Sequence, residues 1–389
     1  MPSCLKCGRE VEGPDFFCPR CLQNEERDGP AARLKSLFLL ARRWQITLGM
    51  GLLFVFVLFA GWHFYPFSHT NRIAVPGCFS TIQEGIAAAR AGDTILVKPG
   101  TYHENIDFMG KSITLRSTRP LDPRIVASTV IQGNGKEPTV RFQNGESAKT
   151  VLQGLTITVG ELLQDRETGR YYSNRPPVVA TGGIIFVASG SAPLIKNNII
   201  TSGTAERGGA IYINASSPVI SNNTISGNKA LWEGGGIYVC AGAKPVINGN
   251  IFSNNFAEDG GGIYVQDALP LIRENVMREN TAAYRGGGVM ISGSAPEISG
   301  NSFEGNSAGE CGGGGVLFGS SPLFRQNHFS RNSGGWRGGG ALYIALKSAP
   351  QLLENTFTGN EASLAKDIWV SIDSSLQGDL QNIDIFYQD

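Results

Sequence analysis

The stretch G-G-G-I-Y-V-Q-D-A-L-P-L-I-R-E-N-V-M-R-E-N, residues 260–280, decides the fold. Its phrase is G-G-x-I-Y-V, then A-x-P-x-I, then N-x-F or a close variant, with a second Asn five positions after the first. Between Gly182 and Glu361 the phrase recurs seven times, roughly every 26 residues. Read at period two, each copy supplies three short strands, and stacked copies align like residues in columns. One inward column is expected to run Ile185, Ile211, Ile237, Ile263, Val289, Val316, Leu342. A second runs from Ile195 through Ile220 and Ile247 to Leu352, and a third from Ile200 through Phe252 to Phe357. Three apolar columns around a narrow tube describe a mainly β fold. It is a parallel β-helix, a solenoid of single strands in which each coil pairs its backbone with the coils above and below.

The positions between the apolar ones carry the candidate chemistry. Two Asn columns, Asn198 to Asn355 and Asn228 to Asn360, fit ladders of stacked amides that satisfy turn backbone groups. The outer column of the first strand reads Phe186, Tyr212, Tyr238, Tyr264, Met290, Leu317, Tyr343. The turn entering that strand holds Glu206-Arg207, Trp232-Glu233, Glu258-Asp259, Tyr284-Arg285, Glu310 and Trp336-Arg337. With coils about 4.8 Å apart, this is a continuous band of rings bordered by charges. Exposed rings stack on sugars, and carboxylates or guanidinium groups bond hydroxyls or acidic sugars. Tyr212, Tyr238, Tyr264, Trp232, Trp336 and Arg337 are therefore the expected binding residues. The competing reading has the rings laddering on one another while the charges neutralise neighbouring coils. Glu233 and Asp259 occupy equivalent turns about 5 Å apart, near the separation of a retaining carboxylate pair, with Arg285 on the next coil. Any two matched solenoid positions share that spacing, so it is a weak sign of catalysis.

Ahead of the repeats lie segments of a different kind. In residues 1–24, Cys4-x-x-Cys7 and Cys18-x-x-Cys21 can place four thiolates tetrahedrally around a structural Zn²⁺. So small a unit has little apolar core, and metal binding would supply its folding free energy. Residues 25–43 form a basic linker with Arg33, Lys35, Arg42 and Arg43. Residues 44–65 then hold I-T-L-G-M-G-L-L-F-V-F-V-L-F-A-G-W-H-F-Y without Asp, Glu, Lys or Arg, flanked by Trp44, Trp62 and Tyr65. That length and those flanks predict one transmembrane helix, and the basic side predicts a cytoplasmic N-terminus with everything after the span exported. The roughly forty residues before the span are too long for a signal-peptide n-region and no A-x-A-like site follows the apolar stretch, so a retained signal anchor is expected. A linker at 66–77 and the β-helix at 78–389 complete the organisation. The exported part has three cysteines, Cys78, Cys240 and Cys311, an odd number that leaves at least one without an internal partner. Cys311 replaces a charged turn residue and is expected to be accessible.

Ser80-Thr81-Ile82-Gln83 has the form of a capping box, and the short helix it begins, ended by Gly92, would plug the open end of the tube. Asp367-Ile-Trp-Val and Asn382-Ile-Asp-Ile are expected to form closing coils. A polar insertion at 160–181 interrupts the repeats. Thirty-three basic and thirty-three acidic residues leave the chain formally neutral, so no basic field points to nucleic acid. Gly lacks a G-X-Y period, which excludes collagen, and no phosphate-binding G-x-x-x-x-G-K-[ST] occurs.

The residues C-L-K-C-G-R-E-V-E-G-P-D-F-F-C-P-R-C resemble the short zinc ribbons at the N-termini of bacterial membrane proteins. The run S-T-I-Q-E-G-I-A-A-A-R-A-G-D-T-I-L-V-K-P-G-T-Y, followed by K-S-I-T-L-R-S, resembles the opening coils of bacterial right-handed parallel β-helix proteins of the pectin-lyase-like superfamily. G-G-G-I-Y-V with paired Asn is similar to repeats of that group. The resemblance implies a right-handed coil and a ligand cleft on the face of the Tyr-bearing strand. It does not imply one reaction, since such folds host lyases, hydrolases, esterases and proteins without activity. The D-F-I-F-G block of β-helix pectinesterases and the W-x-D-H block of pectate lyases are both absent. A membrane-anchored module binding glycan or protein partners at the cell envelope is therefore expected, held in the bacterial inner membrane with its β-helix in the periplasm or outside the cell. The alternative is a tethered polysaccharide lyase or glycoside hydrolase using Glu233, Asp259 and Arg285.

Overall fold

The computed structural model describes residues 71–159 and 183–388. Cys4, Cys7, Cys18 and Cys21, the basic linker, the apolar segment at 44–65 and the insertion at 160–181 lie outside the described residues. Among those described, no helix is long and apolar enough to cross a membrane.

The described strands form parallel sheets of twelve, eleven and ten strands, joined by a fourth sheet of five. One coil contributes Ile263–Gln266, Leu271–Arg273 and Val276–Arg278, each to a different long sheet. Ile211 pairs with Ile237 and Ile237 with Ile263, so like residues stand directly above one another. The second column extends from Ile195 through Leu152, Leu115 and Ile95 to Ile73, all buried. Each branched aliphatic side chain taken out of water contributes about 1.5–3 kcal/mol. Every full coil repeats that contribution on its three inner faces.

Two glycines per copy have distinct duties. The first, Gly260 in the quoted stretch, sits at φ +65°, where a Cβ is disfavoured. The second, Gly261, leaves no room: a Cβ there would lie 2.5 Å from the Thr281 carbonyl oxygen and 2.7 Å from that of Gly287. Counting from the left-handed glycine corrects one column. In G-G-G-G-V-L-F, Gly312 is the left-handed residue, so Gly315 pairs with Val289 and takes the inward place. Val316 pairs with Met290 and faces outward, and Leu317 joins the interior, the reverse of the expectation. The empty place at Gly315 is closed by Val289 and Leu342, whose methyls would stand 2.9 and 3.2 Å from an added Cβ.

Both Asn ladders are present. Nδ2 of Asn223, Asn250, Asn275 and Asn301 each donates to Oδ1 of the next Asn at 3.0 Å. Asn228 to Asn255 to Asn280 to Asn306 repeat this at 2.9 Å. Each Oδ1 also accepts the backbone N–H of the Asn before it, so the buried turns leave no ladder amide unpaired. The residue ahead of each ladder Asn is left-handed, including Asn222, Glu274 and Glu354.

The first strand, Arg72–Val75, precedes the expected boundary at 78 because Ile73 and Val75 alternate inward and continue the sheet. Helix α1, Ile82–Ala88, caps the tube with Ile82, Gly85 and Ile86 buried. Its capping box is shifted by one from the expectation: Thr81 is the N-cap and Glu84 the reciprocal partner. It ends at Ala88, before Gly92. A second short helix, α2 at Pro123–Ser128, begins at Asp122, whose side chain accepts from the Arg124 N–H. Ile368–Val370 and Ile385–Tyr387 close the eleven-stranded sheet, each pairing along its length.

Candidate functional site

The outward column of the eleven-stranded sheet is built by strict register: Phe186, Tyr212, Tyr238 and Tyr264 pair in sequence. Their rings stack at centroid separations of 5.7, 5.3 and 5.5 Å. The column continues through Met290, Val316 and Tyr343 to Trp369, which lies flat on Tyr343 at 4.2 Å. Stacking removes the rings from water. Tyr238 is 4% and Tyr264 8% exposed, and Tyr212 is half-buried. The expectation of an exposed tyrosine band is corrected here: Tyr238 and Tyr264 spend their faces on each other. Burial pushes the Tyr212 and Tyr264 phenols from 10.0 up to about 12. Tyr238 moves the same way, and its hydroxyl donates to Gln266 at 2.6 Å.

The five-stranded sheet borders this ladder. Arg207, Glu233, Asp259 and Arg285 stand in register on successive coils, followed by Cys311. Glu233 accepts from Nε of Arg207. Asp259 accepts both Nε and Nη2 of Arg285, at 3.0 and 2.6 Å. Burial pushes the Asp259 carboxyl up, against the pull of Arg285. The structure thus brings Glu233, Asp259 and Arg285 together, but both carboxylates are committed to guanidinium groups. Neither is free to hand a proton to a leaving group or to attack a sugar carbon, which weakens their candidacy for catalysis. Cys311 is 1% exposed, not accessible as expected, and burial pushes its thiol up to about 12. Its place in the column lies between the Arg285 and Gly338 coils, which pair with it on either side. Cys78, Cys240 and Cys311 are all free thiols. Among the described residues, no group of three or more His, Cys, Asp or Glu side chains is arranged to hold a metal.

The exposed rings stand beside the ladder. Trp232, Tyr284 and Trp336 are 49%, 45% and 61% exposed. Trp336 carries the Arg337 guanidinium 4.7 Å from its ring centroid. It also forms one wall of a recess of about 450 Å³, together with Arg337, Tyr343, Leu364, Trp369, Phe386 and Gln388. The exposed Trp336 ring with the Arg337 guanidinium beside it can hold the apolar face of a pyranose while bonding its hydroxyls, whereas Trp369, 6% exposed and stacked on Tyr343, is part of the floor. Of the expected binding residues, Trp336 and Arg337 line this recess, Trp232 lies further along the same band, and Tyr212, Tyr238 and Tyr264 are under it. Leu364, Trp369 and Phe386 were not read from the sequence as binding residues. Trp369 could have been, by carrying the outer column one coil past Tyr343.

The chain belongs to the family described as the right handed beta helix region, which matches residues 170–303 and 271–375, together more than half of the protein. No curated protein matches it. Among solved structures it is similar to a pectin methylesterase determined in complex with a hexasaccharide, at 10% identity and TM-score 0.33, covering 83% of this chain and 94% of that one. The pectin methylesterase PemA from Erwinia chrysanthemi is similar at 9% identity with the same coverage and TM-score. The PL6-family alginate lyase AlyGC is similar at 11% identity and TM-score 0.33, covering 82% of this chain and 53% of that one. At these scores the three likenesses carry no argument about reaction or ligand.

Proposed function

We propose that this protein is a glycan-binding β-helix, anchored by its N-terminal apolar segment and displayed beyond the cytoplasmic membrane. One observation carries the reading: the recess where the exposed rings of Trp336 and Phe386 meet Arg337. An exposed indole beside a guanidinium suits sugar ring faces and hydroxyls. Glu233 and Asp259, held by Arg207 and Arg285, favour binding over the lyase or hydrolase alternative. Residues 1–24 complete the reading as a cytoplasmic ribbon with structural Zn²⁺ on Cys4, Cys7, Cys18 and Cys21.

A glycan array probed with the full-length chain in detergent tests the central claim. Binding that is lost in Trp336→Ala and Arg337→Ala supports it, and absence of binding to any glycan would sink it. Topology is tested separately by a phosphatase fused after Asp389, which is active only if that end is exported. Zinc content of the wild type against Cys4→Ser and Cys18→Ser tests the ribbon.

A further inference from the structure

The turn band has its own periodicity, apart from the recess. One residue ahead of the charged column, successive coils present Glu206, Trp232, Glu258, Tyr284 and Glu310, an acid alternating with an exposed ring. In the next coil the Arg337 N–H donates to the Glu310 carbonyl at 2.9 Å, and the ring moves to its neighbour Trp336. Coils about 4.8 Å apart set Trp232 and Tyr284 about 9.6 Å apart along the axis, with Trp336 about as far again. In an extended, equatorially linked glycan each sugar is turned half over relative to the last. The same face then recurs on every second residue, across a closely similar distance.

We propose that a linear glycan of neutral or amino sugars lies along the solenoid axis, with alternate sugars stacked on Trp232, Tyr284 and Trp336. The inference rests on the glycan-binding reading and adds a path and a sugar class to it. The class follows from charge. Arg207 pairs with Glu233, Arg285 with Asp259, and Arg337 faces Glu310 at 3.9 Å. Outside these pairs remain Glu258, between Trp232 and Tyr284, and Glu206, at the end of the row beyond Trp232. Burial first, and then the nearby Asp259 and Glu233, push the Glu258 carboxyl up against the pull of Arg285. A polyuronate would add carboxylates beside these acids, whereas hydroxyls and ammonium groups donate to them. The alternation also gives the intervening, inverted sugar a partner, since its hydroxyl-bearing edge meets an acid where its neighbours meet a ring.

The test is calorimetric titration of the full-length chain with cello-, chito- and chitosan oligosaccharides of increasing length, with oligogalacturonate as the acidic comparison. Affinity should climb in steps, as about three sugars reach two rings and about five reach all three. Trp232→Ala and Tyr284→Ala should each weaken the longer oligomers about tenfold while leaving disaccharide binding at the Trp336 recess unchanged. Both rings are exposed, so unchanged melting temperatures would show that folding is intact. Glu206→Gln with Glu258→Gln should weaken chitosan and improve oligogalacturonate. Preference for oligogalacturonate in the wild type, or full affinity in Trp232→Ala and Tyr284→Ala when Trp336→Ala abolishes binding, overturns the axial path and leaves the glycan reading standing. Silence toward all four series overturns the axial path, and silence across the glycan array as well overturns both.

Discussion

Asn250 donates its Nδ2 to Oδ1 of Asn275 at 3.0 Å, and the same oxygen accepts the Asn250 backbone N–H at 2.9 Å. Asn275 in turn donates to the Ile247 carbonyl at 2.9 Å. Its Nδ2 also donates to Oδ1 of Asn301 on the following coil at 3.0 Å, so one amide ties three coils together at a buried site. Asn275→Ala takes these partners from the buried Asn250 N–H and the Ile247 carbonyl, while Asn250 Nδ2 keeps the Ile220 and Asn248 carbonyls. The expected loss is about 3 kcal/mol, since a single buried unsatisfied group costs about 1–3 kcal/mol. Thermal unfolding followed by circular dichroism measures it, and a loss below that range would mean that water enters the turn.

The residue just before that Asn makes the opposite case. Glu274 is exposed at φ +55°, a left-handed position for a side chain that gains nothing from it. Glu274→Gly should stabilise the coil by up to about 1 kcal/mol by relieving the Cβ clash, less the extra freedom gained by the unfolded chain. The corresponding turns already use Gly249 and Gly300, which supports the sign.

The Arg285–Asp259 pair predicts strong coupling. Removing the guanidinium leaves a carboxylate of 8% exposure without its two donors. Arg285→Met should cost about 3 kcal/mol, and Arg285→Met with Asp259→Asn distinctly less than the sum of the single changes. A double-mutant cycle on melting temperature and denaturant midpoint reads the coupling. Additive effects would show that the pair contributes nothing beyond its separate members.

What the sequence made legible was whatever the period controls. Register, three inward columns and both Asn ladders follow from counting, because one coil constrains the next. The slip at Gly315 was hidden by four consecutive glycines, among which the left-handed one, Gly312, is not marked by residue type. Ring burial at Tyr238 and Tyr264 was equally hidden. Period says that rings align, not whether they tilt onto one another or stand out into solvent. The recess depends on Leu364 and Phe386, which come from C-terminal coils outside the repeat, so no periodicity points to them. Asp122-Pro123 did carry a readable start signal for α2, an N-cap followed by Pro at the first helical position.

Alkaline stability follows from the tyrosine ladder. Tyr212 and Tyr264 titrate near 10.0 when unfolded and are pushed by burial to about 12 in the fold. Between these values the unfolded chain has released protons that the folded chain still holds, so raising the pH favours unfolding. The contribution is complete below the unfolded value and is lost as pH climbs through the folded one. Melting temperature should therefore fall steeply across that window in the wild type, and less steeply in Tyr212→Phe with Tyr264→Phe. Identical slopes would assign the alkaline transition to other groups.

The cap helix α1 is held at both ends by coil side chains. Glu104 accepts the Ile82 and Gln83 N–H groups, each at 2.9 Å, at the helix N-terminus. Lys111 Nζ donates to the Ile86, Ala87 and Ala89 carbonyls at 2.8, 2.6 and 2.9 Å, at the opposite end. A carboxylate at the N-terminus and an ammonium at the C-terminus both match the helix dipole, and each is worth about 0.3–1 kcal/mol, more where partly buried. Lys111→Met keeps most of the side-chain stem and removes the three donated bonds. Because each coil of a solenoid contacts only its neighbours, the damage should stay local. Amides of α1 and of the strand Arg72–Val75 should exchange faster, with Ile82 and Ile86 opening to solvent, while those of Ile237–Cys240 keep their protection. Faster exchange throughout the tube would show that the cap governs the stability of every coil, and that the solenoid unfolds as one unit from this end.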